Sequence, residues 1–401
     1  MTIRENIPSL EVDLSMYRKE LRMAFMDVID SGQLILGPQT EKIEGDFSKA
    51  HGHTQGIAVT SDTAALDAVL SIIGVKGEMV LMPEMAFFGD ANVALKLGAK
   101  IGLVDIDPSN GIMPTLDQWK EAVKICSEKG HFPKVAMFVY SGGMTGDSVP
   151  AIKWLQEQGI LVVEDCAHCI GSKYPDGMLA GTYGDFSTWS FYATKLLQCG
   201  EGGMICTSNE ADAENIRCYR AYGRKISSPP FTQAASPLGY NWRLTEIQAA
   251  FLNVMWGHKD EVIAERQKVA TVYDQFFRSG HDDDGSGKAY RLQPEAGGTV
   301  NLYRYMIMKP KMTINDNIWM YEELKTRAHS FGLQEKTNHM PLSAMEAYHS
   351  LPTILSVTGD FSGASRFSQE HLNLPIYPTL PSHEAEYIAK SMVTMLETMG
   401  I

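Results

Sequence analysis

The chain has 401 residues, 44% of them apolar, with 35 Lys and Arg against 48 Asp and Glu, a formal balance of −13. That length exceeds one ordinary core, so a large and a smaller domain are expected, and the acidic balance argues against nucleic acid or an anionic membrane as the main partner. A small polar metabolite fits better, no apolar run reaches the ~18 residues of a spanning helix, and "MTIRENIPSLEVDL" lacks the marks of a signal peptide, so a soluble cytoplasmic protein is expected.

The six cysteines, at positions 126, 166, 169, 199, 206 and 218, are scattered and predict no disulfide framework. "EDCAHC" offers Cys166, His168 and Cys169 as soft ligands, yet no second ligand pair follows at a comparable spacing, so no metal is expected.

From about residue 57 short apolar runs alternate with helical segments. "GIAVTSD" reads as a strand ending at Asp62, and "TAALDAVLSIIG" as a largely buried helix. "EMVLMP", "KIGLVDID", "VAMFVYS" and "ILVVEDCA" read as four more strands, separated by stretches such as "ANVALKLGA" and "AIKWLQEQG" with helical spacing. This alternation predicts an α/β fold whose mostly parallel sheet is covered on both faces, with ligands at the carboxyl ends of the strands. Residues 245–277 read as one helix, opened by a capping box of Thr245 and Gln248. At the usual rise it would be about 50 Å long. "RSGHDDDGSGK" then breaks the chain, "TVNLYRYMIMKP" reads as a strand, and two helical stretches close it at "SHEAEYIAKSMVTMLETMG". The expected division is a segment 1–30 packed on the smaller domain, a large domain 31–259 and a smaller α+β domain 260–401.

Asp165 falls at the carboxyl end of a predicted strand, while Glu164 beside it points to the opposite face. Lys195 follows the strand "DFSTWSFY" and reaches the same rim. Singly, these residues read as a helix cap and a surface charge. Together they are what a pyridoxal phosphate enzyme needs, a desolvated amine that condenses with an aldehyde and a carboxylate that keeps a ring nitrogen protonated. "TSDTAAL" adds backbone N–H groups and two hydroxyls at a strand-to-helix turn, where a helix N-terminus favours an anion. The charge of Asp62 in that turn opposes phosphate unless its side chain turns away.

"VVEDCAHCIGS", "SFYATKLLQCGEGG", "TSDTAAL" and "GYNWRLTEIQAA" resemble the motifs of the DegT/DnrJ/EryC1/StrS family, the pyridoxal phosphate-dependent sugar aminotransferases. The resemblance extends from "SGQLILGPQTEKIEGDF" near residue 31 to "LNLPIYPTLP" near residue 380. It implies fold type I, the aspartate aminotransferase fold, a homodimer with shared active sites, pyridoxal 5'-phosphate as cofactor, L-glutamate as amino donor and a keto-sugar as acceptor. It further implies Lys195 as the lysine that bonds the cofactor's aldehyde, Asp165 at the pyridine nitrogen, His168 near the phenolic oxygen and Phe87 against the ring. Asp62, Thr63 and Ser190 would hold the phosphate, and Asn241 would reach the phosphate of the neighbouring subunit's cofactor. His339 in "NHMPL" falls near a position on the substrate side.

Two stretches depart from the family pattern: Asp62 stands where Gly is usual, and "YSGGMTGD" replaces a His and Gly pattern. Phe87 also reads as a core residue that Phe88 could replace, and His168 as a satisfied core histidine. Arg217, Arg220, Arg224 and Lys225 in "NIRCYRAYGRKISSPP" read as a basic loop suited to the diphosphate of a nucleotide-linked 3- or 4-keto hexose. A free keto-cyclitol is the alternative acceptor. A dehydratase with His at the lysine position, and a cofactor-binding regulatory protein without turnover, are disfavoured by the presence of Lys195 and Asp165.

Overall fold

The apolar runs of the first half assemble into one wide sheet. It is seen in a computed structural model that describes residues 2–224, 238–280, 288–292, 297–327, 329–333, 340–349, 351, 353–356 and 360–398. The chain opens with β1 (Asn6–Ile7), α1 (Arg18–Ser31) and α2 (Pro38–Ala50). Strands and helices then alternate: β2 (Gln55–Val59), α3 (Asp62–Ile73), β3 (Met79–Pro83), α4 (Phe88–Lys96), β4 (Lys100–Val104), α5 (Leu116–Glu128), β5 (Pro133–Val139), α6 (Ser148–Glu157) and β6 (Leu161–Asp165). There follow β7 (Phe186–Ser190), β8 (Gly203–Thr207), α7 (Glu210–Tyr219), α8 (Glu246–Gly257) and α9 (Lys259–Tyr273). The last part holds β9 (Ser279–Gly280), β10 (Tyr290–Leu292), β11 (Tyr305–Met308), α10 (Ile314–Thr326), β12 (Ser330–Phe331), α11 (Glu346–His349), β13 (Ile354–Ser356), α12 (Ser362–Glu370), β14 (His371–Leu374) and α13 (Ser382–Thr398).

Eight strands form the large sheet in the order β13-β4-β3-β5-β6-β7-β8-β2, with every neighbouring pair parallel except the two that involve β8. Burial of both faces explains why β3, β5 and β8 are apolar almost throughout rather than alternating. Leu81, Phe138, Val162 and Trp189 pack into the core on one face, and their neighbours Val80, Met137 and Val163 pack into the core on the other, where α3 and α4 lie. A second sheet, β14-β11-β10-β9, packs with α9, α10 and α13 around Tyr273, Tyr305, Met320 and Ile388. The C-terminal part also contributes β13 to the edge of the large sheet, beside β4. The N-terminal segment divides. Its β1 pairs with β12 and Arg4 bonds Glu384 and Tyr377, whereas α1 packs on α8.

Three expectations about elements are corrected. The strand "GIAVTSD" stops at Val59, and Asp62 opens α3, because the Ser61 hydroxyl accepts the N–H of Ala64 and caps the helix there. The single helix expected over 245–277 is two, α8 and α9, parted at His258 (φ −102°, ψ 9°), and the second ends at Tyr273. The His258 ring bonds Glu20 and Glu261, each at 3.0 Å, and the bend carries the chain from α1 and α2, on which α8 packs, to α13, on which α9 packs. Tertiary contacts outweigh helix propensity at this point. The two closing helical stretches become α10, α11, α12 and α13.

Candidate active site

β6 carries the first reactive group. Alternation along the strand puts Asp165 on the face of Val163, under α3 and α4, and leaves Glu164 on the other. Asp165 is buried and accepts the Ala167 N–H at 2.9 Å. Its register partner on β7 is Thr188, whose buried hydroxyl faces the Asp62 carboxyl, and Ser190 lies on the same face two residues on. The Ser190 hydroxyl accepts the Tyr192 N–H at 3.4 Å. The turn after β7 brings Lys195 to this end of the sheet, its N–H bonded to the Tyr192 carbonyl at 2.8 Å. Lys195 Nζ lies 5.3 Å from the ring centre of Tyr303, on which His168 also stacks, at 4.3 Å and 24°. His168 Nδ1 accepts the Gly142 N–H at 3.1 Å.

α3 points its N-terminus at the same rim, with Thr63 exposed in its first turn. Gly203, at the end of "GEGG", lets β8 come this close. A Cβ there would stand 2.5 Å from the Ser61 carbonyl and 2.8 Å from the Asp62 nitrogen. The Asp62 side chain turns to Asp165, and Asp90 from the first turn of α4 meets Asp165 as well. Burial, then the charge of Asp165, holds the Asp62 carboxyl well above the usual carboxylate range, and Asp90 is raised by the same causes with Asp62 added. Burial also raises Asp165, opposed by the Ala167 N–H, by Lys195 and by the two neighbouring acids.

Phe87 caps α4, 53% exposed, with its ring over Gly89 and 4.2 Å from that of Phe88. Asn241 is exposed and accepts a bond from Arg243 Nε at 3.0 Å. Its segment bridges Ala221, and the next residue's carbonyl, that of Trp242, takes the Thr60 N–H at 3.1 Å, just before α3. The basic run is not a loop of four free cations, which corrects the expectation. Arg217 lies in α7 and bonds Gln55 at 2.9 Å, and the buried Arg220 caps that helix and bonds Glu44 at 2.5 Å and the Ala58 carbonyl at 2.7 Å. Arg224 is exposed, while Lys225 and His339 lie outside the described residues. Among the described residues no group of His, Cys, Asp or Glu could hold a metal, and no helix is long and apolar enough to cross a membrane.

Sequence reasoning missed Asp90 and Tyr303. Asp90 carries a faint signal, an acid on the buried side of a helix, which alone reads as first-turn charge. Tyr303 carries none, since only the packing of the segment before β11 against the turn after β6 brings it to His168 and Lys195.

The donor set fits an aldehyde-bearing ring phosphate: an amine, a carboxylate with one backbone donor, the buried hydroxyl of Thr188 and a helix N-terminus with an exposed threonine. Fold and site together define an α/β enzyme of the aspartate aminotransferase type. The chain matches the DegT/DnrJ/EryC1/StrS aminotransferase family over residues 16–393 and belongs to it, a family of pyridoxal phosphate-dependent sugar aminotransferases. It is 30% identical over 396 residues to a pleiotropic regulatory protein of Geobacillus stearothermophilus, covering 96% of this chain and 98% of the relative. It is 24% identical over 364 residues to a GDP-perosamine synthase of Escherichia coli O157:H7, covering 89% and 90% of the two chains. Among solved structures, the aminotransferase TlmJ of Streptoalloteichus hindustanus matches with a TM-score of 0.81 and 26% identity over 100% of both chains.

Proposed function

We propose that this enzyme moves an amino group from L-glutamate to a nucleotide-linked 3- or 4-keto hexose in the cytoplasm, with pyridoxal 5'-phosphate as carrier. The observation that carries this reading is the meeting of Lys195 and Asp165 beside the N-terminus of α3. When bound, the cofactor supplies an aldehyde carbon that takes an amine and a cationic ring that takes up electrons. Lys195 Nζ would hold the cofactor through that carbon and, as a free amine, would carry the proton from the donor's Cα. The Asp165 carboxylate keeps the ring nitrogen protonated. His168 and Phe87 would flank the ring, and the turn at Asp62 and Thr63, together with Ser190 at the end of β7, would receive the phosphate.

We further propose a homodimer in which Asn241 serves the neighbour's phosphate. Exposed Met23, Met26 and Ile29 on α1, continued by Leu34 and Ile35, support a second copy as the cover of that face. The nucleotide is supported by exposed Arg224 beside exposed Tyr222 and Tyr240, with the Arg243 guanidinium 5.2 Å from the Tyr222 ring centre. The GDP-perosamine synthase among the relatives is named for a nucleotide sugar.

Borohydride reduction of the cofactor-loaded protein and peptide mapping should label Lys195. A label elsewhere overturns the assignment. Glutamate-dependent amination of uridine, thymidine or guanosine diphosphate keto-hexoses is expected, weakened mainly in KM by Arg224→Ala. Amination of a free inosose with none of that panel accepted would replace the acceptor by a keto-cyclitol. Mixing Lys195→Ala with Asn241→Ala subunits should restore one intact site per mixed dimer, and no recovery after proven exchange rejects sharing.

A further inference from the structure

Three acids from three separate elements converge at the carboxyl end of β6: Asp165 itself, Asp62 from the first position of α3 and Asp90 from the first turn of α4. Asp90 is 1% exposed and Asp165 4%. Oδ1 of Asp62 and Oδ2 of Asp90 are buried without a hydrogen bond of ordinary geometry, although both side chains touch that of Asp165 and the Thr188 hydroxyl faces Asp62. Ionised carboxyls only accept hydrogen bonds, so two of them in contact repel unless one carries a proton. Lys195 is the cation that acts on Asp62 and Asp165, and one cation does not balance three clustered charges, two of them on buried residues and the third on the partly exposed Asp62. Around Asp90 the other groups are polar rather than cationic: the Tyr348 hydroxyl from α11 bonds the Phe88 carbonyl at 3.1 Å and Asn92 at 2.9 Å. Each of the three has one donor that favours its ionised form, the Ala167 N–H for Asp165, the Thr188 hydroxyl for Asp62 and the Phe87 backbone for Asp90, and only for Asp165 does that donor follow burial directly among the influences on the carboxyl.

We propose that Asp62 and Asp90 stand in the folded protein as neutral acids that donate hydrogen bonds to the Asp165 carboxylate, positioning it so that the three carry a single negative charge. The inference rests on the role proposed above for Asp165. Burial and the neighbouring charge favour the same assignment of protons. It also answers the difficulty Asp62 raised in the sequence, because a protonated Asp62 turned to Asp165 leaves the N-terminus of α3 without a fixed negative charge to oppose a phosphate. Asp90 and Asp62 are then positioning residues, acting on the cofactor through Asp165.

The test uses the full chain without cofactor. Infrared spectra at about pH 8, well above the ordinary carboxylate range, should retain a protonated-carboxyl C=O stretch that shifts in deuterated water. Its amplitude should fall in Asp90→Asn and fall further when Asp62→Asn is added. An amplitude equal in the wild type and both variants overturns the proposal. In the loaded enzyme, Asp90→Ala should lose about tenfold or more in kcat with little change in the KM for glutamate. Asp90→Asn, whose amide still donates to Asp165, should recover most of that loss, and an Asn variant as slow as the Ala variant overturns the positioning role. Borohydride labelling of Lys195 is independent of these protons, so failure here and failure of the proposed function are told apart.

Discussion

Glu164 and Asp165 are neighbours on β6, and the pleat sends them into two different surroundings. On its face Glu164 is fully buried and accepts bonds from the Tyr140 hydroxyl at 2.8 Å, the Tyr174 hydroxyl, and the N–H groups of Tyr183 at 3.1 Å and Gly184 at 2.5 Å. Burial raises its pKa, opposed by those four donors. On the opposite face Asp165 has the Ala167 N–H, two more acids and Lys195. A buried carboxylate whose lone pairs are all met ties segments together, here β5, β6 and residues 174–184. One met by a single backbone donor, with titratable neighbours in place of fixed ones, keeps capacity for a proton or a ligand.

The comparison would break first at Asp165→Asn, which keeps the shape and removes the charge. Turnover should fall by about 10²–10⁴, or ~3–5 kcal/mol of barrier, while the urea midpoint stays near that of the wild type. Steady-state rates close to normal would put Asp165 in the same structural class as Glu164. Glu164→Leu is the mirror experiment. It orphans two backbone N–H groups and two tyrosine hydroxyls, so a loss of ~3 kcal/mol in urea unfolding is expected, with the folded fraction still binding cofactor. Unchanged stability would mean that the four bonds contribute nothing net.

Glu84 stands between the two cases, since Oε1 accepts the Ser343 N–H at 2.8 Å and Oε2 has no partner. Burial pushes its pKa from 4.5 up to about 7. A raised carboxylate stabilises the fold fully below its unfolded pKa, and that contribution is lost as pH rises through the folded value, here between about 4.5 and 7. Glu84→Gln should therefore match the wild type near pH 4 and exceed it by up to ~3 kcal/mol above about pH 8 in unfolding measured across pH. A constant difference across that range would show that Glu84 does not titrate there. The smallest effect belongs to Tyr174→Phe, which removes one of Glu164's four donors and should cost ~1 kcal/mol in the same unfolding assay. A cost as large as that of Glu164→Leu would show that the network acts as a unit rather than bond by bond.

The sequence by itself determined the alternating strands and helices, the Thr245 and Gln248 capping box, and the opposite facing of Glu164 and Asp165. These are legible because apolar period, caps and the two-residue pleat are properties of a few adjacent residues. The motif order also carried family membership, which the match over residues 16–393 bears out. Only the tertiary structure decided that Asp62 and Asp90 meet Asp165, that Tyr303 lies against both His168 and Lys195, and that Arg217 and Arg220 are committed to β2 and Glu44 rather than free in a loop. It likewise decided the bend at His258, where Glu20 from α1 reaches the ring. The partners in these contacts lie tens to hundreds of residues apart, so no local spacing encodes them. They follow from which faces of the sheet and helices bury together, and that is settled by the packing of the whole chain.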